Sequence, residues 1–547
     1  MPRKAVAGAL GNCVHVAGVI NFLRLAEMAG YETVFLGPAC DVKTFIEAIR
    51  EHDPELVGVS YRLSPHVVHS LIDDFEQSVT SYQLQNRRFA FAGTPPVCEE
   101  ACKSELFEVC FNGHEEPEEV FAYIKGEPLE KGEADYGSTQ LERLEKKRPY
   151  PLLRHHFGLP TMQQTLAGIE KIAESKVVDV ISIAPDQNAQ ESYFRPEEMK
   201  PELDGAGGCP IRTEQDMIDI YDASRRGNYP LLRIYSGTRD LLKWAELSVR
   251  TIHNAWGAIP LFWYSDLDGR SRRPVAEAIG ENREAMRFYA ERGIPVEVND
   301  SHHWSLRDAH DAVAVAAAYL AAYNAKSVGV NHYIAQYMFN TPPTTSGAPD
   351  LAKMLAKAKM IESLHDDDFT SMRQVRAGLL SLSPDIDVAQ GQLAASATLA
   401  LGMKPHIIHV VSFTEADHAA TADDVIESCK IVRGVLKNCM FGFCDLAADE
   451  NVTKRKDELV AEAKHIMESM SALESRTGDP LTDPEALAAG LRAGILDAPQ
   501  LAGNPAVAGR VKTACIDGAI YAVDPESGRV LTEPERLAAL PARTSAQ

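Results

Sequence analysis

Short apolar runs recur along this chain, each followed by a stretch whose apolar residues repeat at helical spacing. Such a pattern confines a chain to α/β folds with parallel strands, because every crossover helix returns the backbone to start the next strand in the same direction. The pattern falls into two blocks. In the first, residues 4–10, 31–37, 56–60, 88–93 and 109–112 read as strands, with helices at 19–28, 42–52, 65–78 and 96–106. This alternation predicts a doubly wound, flavodoxin- or Rossmann-like domain over residues 1–125.

The second block holds eight runs: 152–156, 177–186, 230–237, 258–266, 294–300, 327–333, 374–378 and 406–415, with clear helices between them such as 273–292 and 309–324. Eight strand–helix units over about 300 residues predict a (β/α)8 TIM barrel at 150–450. Residues 126–149, rich in Glu, Lys and Gly, read as a linker with short helices. Residues 451–547 read as a small C-terminal α+β region. It comprises a helix over 454–473, a hairpin pairing 519–523 with 529–531, and a disordered end from Ala538 onward. That region is expected to cap the barrel or to make the contact of a homodimer.

Charge and cysteine usage narrow the function. A net charge of −23 over 547 residues opposes nucleic acid and anionic membranes, which need clustered Lys and Arg. No run reaches the roughly 18 uninterrupted apolar residues of a membrane-spanning helix. The first residues lead into a strand-like run instead of a signal sequence. The ten cysteines contain no C-x-x-C pair, which argues against structural zinc and for a reducing, cytoplasmic setting. The partner expected is a small-molecule substrate.

The first strand runs into Gly11-Asn12-Cys13-Val14-His15-Val16-Ala17-Gly18, which places His15 in a loop at the carboxyl edge of the sheet, where ligands bind. No G-x-G-x-x-G follows that strand, so a dinucleotide site is not indicated. Cys13-x-His15-x-x-Gly18, Ser60 in GVSYRL, and Ala92-Gly93-Thr94 after the fourth strand together resemble the cobalamin-binding domain of B12-dependent mutases and methionine synthase. The resemblance implies His15 as the metal ligand beneath cobalt. Cys13 stands where the family carries an Asp behind the imidazole, and Gly18, Ser60, Leu63, Gly93 and Thr94 line the cofactor pocket. A thiol is a weaker hydrogen-bond partner than a carboxylate.

The barrel runs end in polar residues, which in this fold form the active-site mouth. Ser236, Asp266 and Thr414 also fit helix N-caps, a role that does not favour histidine. No E-x-x-H or D-x-H accompanies His302-His303 or Asn331-His332, so a catalytic metal is not expected there. The barrel distantly resembles the large subunit of glutamate (methylaspartate) mutase. The likeness is carried by Pro151-Leu152-Leu153-Arg154, Ser236-Gly237-Thr238, residues 288–293 (FYAERG), Pro384-Asp385, Glu415-Ala416 and residues 494–499 (GILDAP). It implies Arg154 as a clamp on a substrate carboxylate, Gln190 and Tyr235 at the positions of two further clamp arginines, and Glu415 on the adenosyl ribose of the cofactor. Neither Gln nor Tyr replaces the bidentate grip of Arg, so a dicarboxylic amino acid is not the indicated substrate. Asp186, Tyr235, Asp300, His302 and His332 are the candidates for hydrogen bonding or proton transfer.

The expectation is a cytoplasmic, adenosylcobalamin-dependent carbon-skeleton mutase, a radical isomerase of a small polar or carboxylate-bearing substrate. Adenosylcobalamin is preferred over methylcobalamin as cofactor. A corrinoid methyltransferase and a catalytically inactive cobalamin carrier are the alternatives.

Overall fold

The computed structural model describes residues 3–113, 115, 117–127, 132–439 and 444–541. The chain divides into two compact units, Met1–Lys131 and Gly132–Gln547.

In the first unit five parallel strands, β1 (Lys4–Leu10), β2 (Glu32–Cys40), β3 (Leu56–Ser60), β4 (Arg88–Ala92) and β5 (Val109–Phe111), lie in the order β2-β1-β3-β4-β5. The chain leaves β1 for one side of the sheet and returns on the other, so a crevice opens outside the carboxyl ends of β1 and β3. Helices cover both faces, which is why β3 is apolar except for its last residue and buried throughout. Phe45, Phe75 and Phe89 fill one face, edge to face, at centroid separations of 5.5 and 6.1 Å.

The second unit holds eight parallel strands: β6 (Leu152–Phe157), β7 (Val180–Ile183), β8 (Leu231–Ile234), β9 (Gly257–Ile259), β10 (Val296–Val298), β11 (His332–Phe339), β12 (Thr370–Ala377) and β13 (Ile407–Val410). Their order, β8-β7-β6-β13-β12-β11-β10-β9, is that of a nearly closed TIM barrel. The seam lies between β8 and β9. Across it the Ala255 N–H donates to the Leu232 carbonyl at 2.8 Å, and the Asn254 side-chain oxygen accepts from the Ile234 N–H at 3.0 Å.

Alternate residues of a strand face opposite sides, and here the two sides differ in kind. Leu153, Ile181, Leu232, Ile259, Val298, Val375 and Ile408 pack outward against the helices. Inside, Leu152, Val180, Leu231, Trp256, Ile334, Met372 and Ile407 form an apolar floor. Two residues further along the strands the interior turns polar, with Arg154, Ser182, Arg233, Glu297, Gln336, Gln374 and His409 all buried.

Three expectations are corrected. The sixth barrel strand is not 327–333 but begins at His332 and runs to Phe339; its apolar continuation, Ile334 to Phe339, carries the sheet pairing to β12. The expected linker is half barrel: the helix Gln140–Lys147 closes the floor from beneath, with Leu141 and Leu144 against it. Arg143 of that helix donates to the carbonyls of Gly137, Asn228 and Tyr229, so this segment is fastened down. The tail hairpin also pairs otherwise: β15 (Ala519–Ala522) runs antiparallel to β14 (Thr513–Ile516). Asp517 and Gly518 between them both have positive φ, 50° and 78°, which suits a two-residue turn. Residues 529–531 contribute only the isolated bridge Val523–Val530. The tail helix spans Glu450–Ser471, and Ala538 ends the helix Glu533–Ala538; of the end expected to be disordered, 542–547 lie outside the described residues. No helix among the described residues is long and apolar enough to cross a membrane.

Candidate functional site

The loop after β1 presents its histidine by a simple alternation. Cys13 is fully buried, and its backbone is pinned by Cys13 N–H to Leu10 O (3.2 Å) and Ala39 N–H to Cys13 O (2.8 Å). Two residues on, His15 is exposed, with Nδ1 lying 3.8 Å from the Cys13 sulfur. The thiol therefore backs one ring nitrogen from inside while Nε2 is left to the outside, the arrangement a metal-ligating imidazole requires. Apolar side chains are exposed around it, Val14 at 61% and Leu63 and Val67 at 43% each, on a crevice edge where burial would otherwise be expected. Ser60 ends β3 and is buried, and Gly18 opens the helix Ala17–Met28 with free space where a Cβ would stand. Gly93 is required locally: a Cβ there would lie 2.7 Å from the Tyr61 carbonyl oxygen. Thr94 caps the helix Pro95–Ala101 by position without a side-chain hydrogen bond. His15, the small residues and the exposed apolar side chains lie at or just beyond the carboxyl ends of β1, β3 and β4, a set of residues that suits a flat ring carrying one metal.

In the barrel, Arg154 organises the polar interior. Its Nε donates to Ser182 Oγ at 2.6 Å, its Nη1 to Gln374 Oε1 at 3.0 Å, and its Nη2 to His156 Nε2 at 3.1 Å. A guanidinium only donates, which fixes everything beyond it. Gln374 must turn its oxygen to Arg154, so its Nε2 donates to Gln336 Oε1 at 3.1 Å, and Gln336 Nε2 donates to His302 Nδ1 at 3.3 Å. His302 thereby carries its proton on Nε2 and His156 on Nδ1. Burial holds both well below the ordinary histidine range, so both are neutral.

Glu297 accepts from Trp256 Nε1 at 2.6 Å and from Arg233 Nη2 at 3.1 Å, and lies 3.5 Å from Arg154 Nη1. Burial alone would raise its pKa, but the two guanidiniums outweigh burial and push it down to about 2. Nearer the mouth, Tyr235 stacks on His156 with centroids 5.0 Å apart, its hydroxyl 3.0 Å from Nε2, and Arg233 sits 4.2 Å over its ring. Burial works to raise the Tyr235 pKa, but Arg233, Arg154 and Arg376 together bring it below 10.0. Arg376, two residues beyond Gln374 on β12, is buried at the same level, and Glu415 stands on the exposed rim.

The residues singled out in the sequence thus separate. Arg154, Tyr235 and His302 meet inside the barrel, but Arg154 is consumed in holding the interior. Asp186 caps the helix Gln187–Ser192: it accepts from the N–H groups of Ala189 (2.8 Å) and Gly205 (2.9 Å) and binds Arg212 with both oxygens. Gln190 turns its amide back to the Pro185 carbonyl at 2.7 Å. Asp300 accepts from the N–H groups of Leu261 and Phe262, tying two loops, and burial pushes its pKa up to about 7. His332 begins β11 and so lies at the amino end of the barrel, away from the mouth, beside Thr370. Arg233, Glu297, Gln336, Gln374 and His409 were not singled out. The signal that would have found them is a charged or amide residue at every second position of an otherwise apolar strand.

Residues 3–81 match the family model described as "B12 binding domain", so the first unit carries a B12-binding domain. Two curated relatives from Haloarcula marismortui are similar to part of this chain. Glutamate mutase sigma subunit 2 is 28% identical over 138 residues, 23% of this chain and 87% of the relative. Glutamate mutase sigma subunit 1 is 31% identical over 87 residues, 15% of this chain and 58% of the relative. Among solved structures, a novel cobalamin-binding protein from Desulfitobacterium hafniense DCB-2 is similar at 22% identity and a TM-score of 0.20, over 22% of this chain and 56% of that one. The cobalamin-dependent S-adenosylmethionine radical enzyme OxsB is similar at 8% identity and a TM-score of 0.19, over 88% of this chain and 63% of that one.

Proposed function

We propose that this chain is an adenosylcobalamin-dependent carbon-skeleton mutase, an isomerase of a small polar or carboxylate-bearing substrate. The observation that carries the reading is His15, exposed at the crevice edge with the buried Cys13 sulfur behind its Nδ1. The B12-binding match of residues 3–81 and the likeness of part of the chain to glutamate mutase sigma subunits, in a chain that also holds a TIM barrel with a polar interior, support it.

His15 would ligate the cofactor's metal, and Ser60, Gly93 and Thr94 would leave room for its nucleotide tail. Adenosylcobalamin, when bound, supplies the carbon-centred radical that begins the rearrangement. The barrel's residues bind and orient. Its closed apolar floor keeps water from entering beneath the substrate, which protects reactive species. Arg376 offers a buried positive charge to a substrate carboxylate, and Tyr235, with its hydroxyl on neutral His156, can hold or pass a proton at the phenolic oxygen. Arg154 and Glu297 keep these groups in place.

The test is anaerobic incubation of the full chain with adenosylcobalamin and a panel of small organic acids. Formation of 5′-deoxyadenosine with a Co(II)-coupled radical signal is expected for one of them. A methyl transfer to or from cobalt without 5′-deoxyadenosine would assign the chain to the corrinoid methyltransferases instead.

A further inference from the structure

The charge inside the barrel does not balance. Arg154, Arg233 and Arg376 are buried there; among the described residues Glu297 is the buried carboxylate at their level and is shared between Arg154 and Arg233, while Glu415, which also acts on Arg376, stands on the exposed rim beyond ion-pair distance. Among the described residues Arg376 makes one hydrogen bond, Nε–H to the Ala377 carbonyl at 3.3 Å, and has no carboxylate at ion-pair distance. Burying a guanidinium without a counter-ion is costly, and a protein retains one where a ligand supplies the missing charge. Arg376 stands at the carboxyl end of β12, on the interior face with Gln374 and near Tyr235 and Glu415, as its electrostatic coupling to both shows.

Neither Asp186 nor Asp300 is free for the opposite task of receiving a cation. Asp186 is filled by two backbone N–H groups and Arg212, and Asp300 by two more backbone N–H groups. Glu415 lies on the exposed rim. The histidines at this level, His156, His302 and His409, are neutral and add no negative charge.

We infer that the barrel takes a doubly anionic organic acid with no ammonium group, seating one carboxylate on Arg376. Two negative charges neutralise the excess of two guanidiniums over Glu297, whereas an amino diacid would leave one positive charge uncompensated and its ammonium without a carboxylate. The inference rests on the reading of the barrel as the substrate domain of a mutase and separates its substrate from glutamate, the compound in the names of the sigma-subunit relatives.

The experiment is calorimetric titration of the full chain, with and without bound cobalamin, using matched pairs: glutarate against glutamate, and succinate against aspartate. The diacid of at least one pair is expected to bind about 10- to 100-fold more tightly than its amino counterpart, the span of one charge-assisted contact. Arg376→Gln should remove most of that binding and Arg376→Lys should retain part of it, with circular dichroism showing both variants folded. Equal or tighter binding of the amino acids overturns the inference, as does failure of the wild-type chain to bind any of the four. Because the readout is binding, a diacid preference without 5′-deoxyadenosine formation would leave this inference standing while removing the mutase reading.

Discussion

His156 and Tyr235 stand at the ends of β6 and β8, with β7 between them, and share one hydrogen bond: the phenolic oxygen lies 3.0 Å from Nε2, and the rings are parallel within 9°. Because Arg154 Nη2 donates to the same nitrogen, Nε2 is an acceptor and the hydroxyl hydrogen points at it. The pair is a phenol held as a donor by a neutral imidazole under three guanidiniums.

Tyr235→Phe removes that donor without changing ring volume. We expect kcat to fall by about 10²- to 10⁴-fold, the usual worth of a positioned proton donor, with KM changed only a few-fold. The Tyr235 pKa lies below 10.0, so the wild-type rate should decline on an alkaline limb below pH 10, where the donor is lost. The limb should be missing in the variant. A profile of kcat against pH for both proteins checks this.

His15→Ala should abolish nitrogen coordination beneath cobalt. The reporter is the nitrogen splitting in the Co(II) electron paramagnetic resonance spectrum of the full chain with bound cobalamin. Cys13→Ala removes only the group behind Nδ1, 3.8 Å away, and should preserve the splitting while weakening cobalamin binding by up to about tenfold. Unchanged splitting in His15→Ala would reassign the ligand.

Glu297→Gln leaves Arg154 and Arg233 buried without a counter-charge and should cost about 3–5 kcal/mol in chemical unfolding of the barrel. The same carboxylate gives a pH dependence. Its folded pKa of about 2 lies below the ordinary 4.5, so its contribution is complete above pH 4.5 and is lost as pH falls towards 2. Acid unfolding monitored between those values should be less steep in the variant.

Lys357, on the helix Gly347–Glu362, is 1% exposed and has no hydrogen bond or ion pair among the described residues; burial pushes its pKa down to about 7. A lysine depressed on folding costs nothing above pH 10.5, where both states are neutral, and costs progressively more as pH falls to about 7. Lys357→Met should therefore raise the melting temperature at pH 6.5, by the equivalent of about 1–4 kcal/mol, and the gain should shrink at pH 9.5. Thermal scans at the two pH values decide it.

What the sequence by itself determined is the number, order and type of the repeating elements, which depend on periodicity; strand ends and the tail hairpin's turn it left to the structure. Alternating apolar runs and helices identified a five-stranded parallel sheet and an eight-stranded ring, and Cys13-x-His15-x-x-Gly18 marked the crevice edge, because a strand's end and its loop are adjacent in the chain. Tertiary structure alone decided which polar residues are free. Asp186 and Asp300 have the composition of catalytic acids, yet backbone N–H groups from residues 19 and 39 positions away claim them. A displacement of the sixth strand from 327–333 to His332–Phe339 carried His332 to the opposite end of the barrel. The lone guanidinium of Arg376 emerges only once Glu297 is seen between two others, since the pairing of buried charges depends on which strands stand across the barrel, and no local pattern encodes that distance.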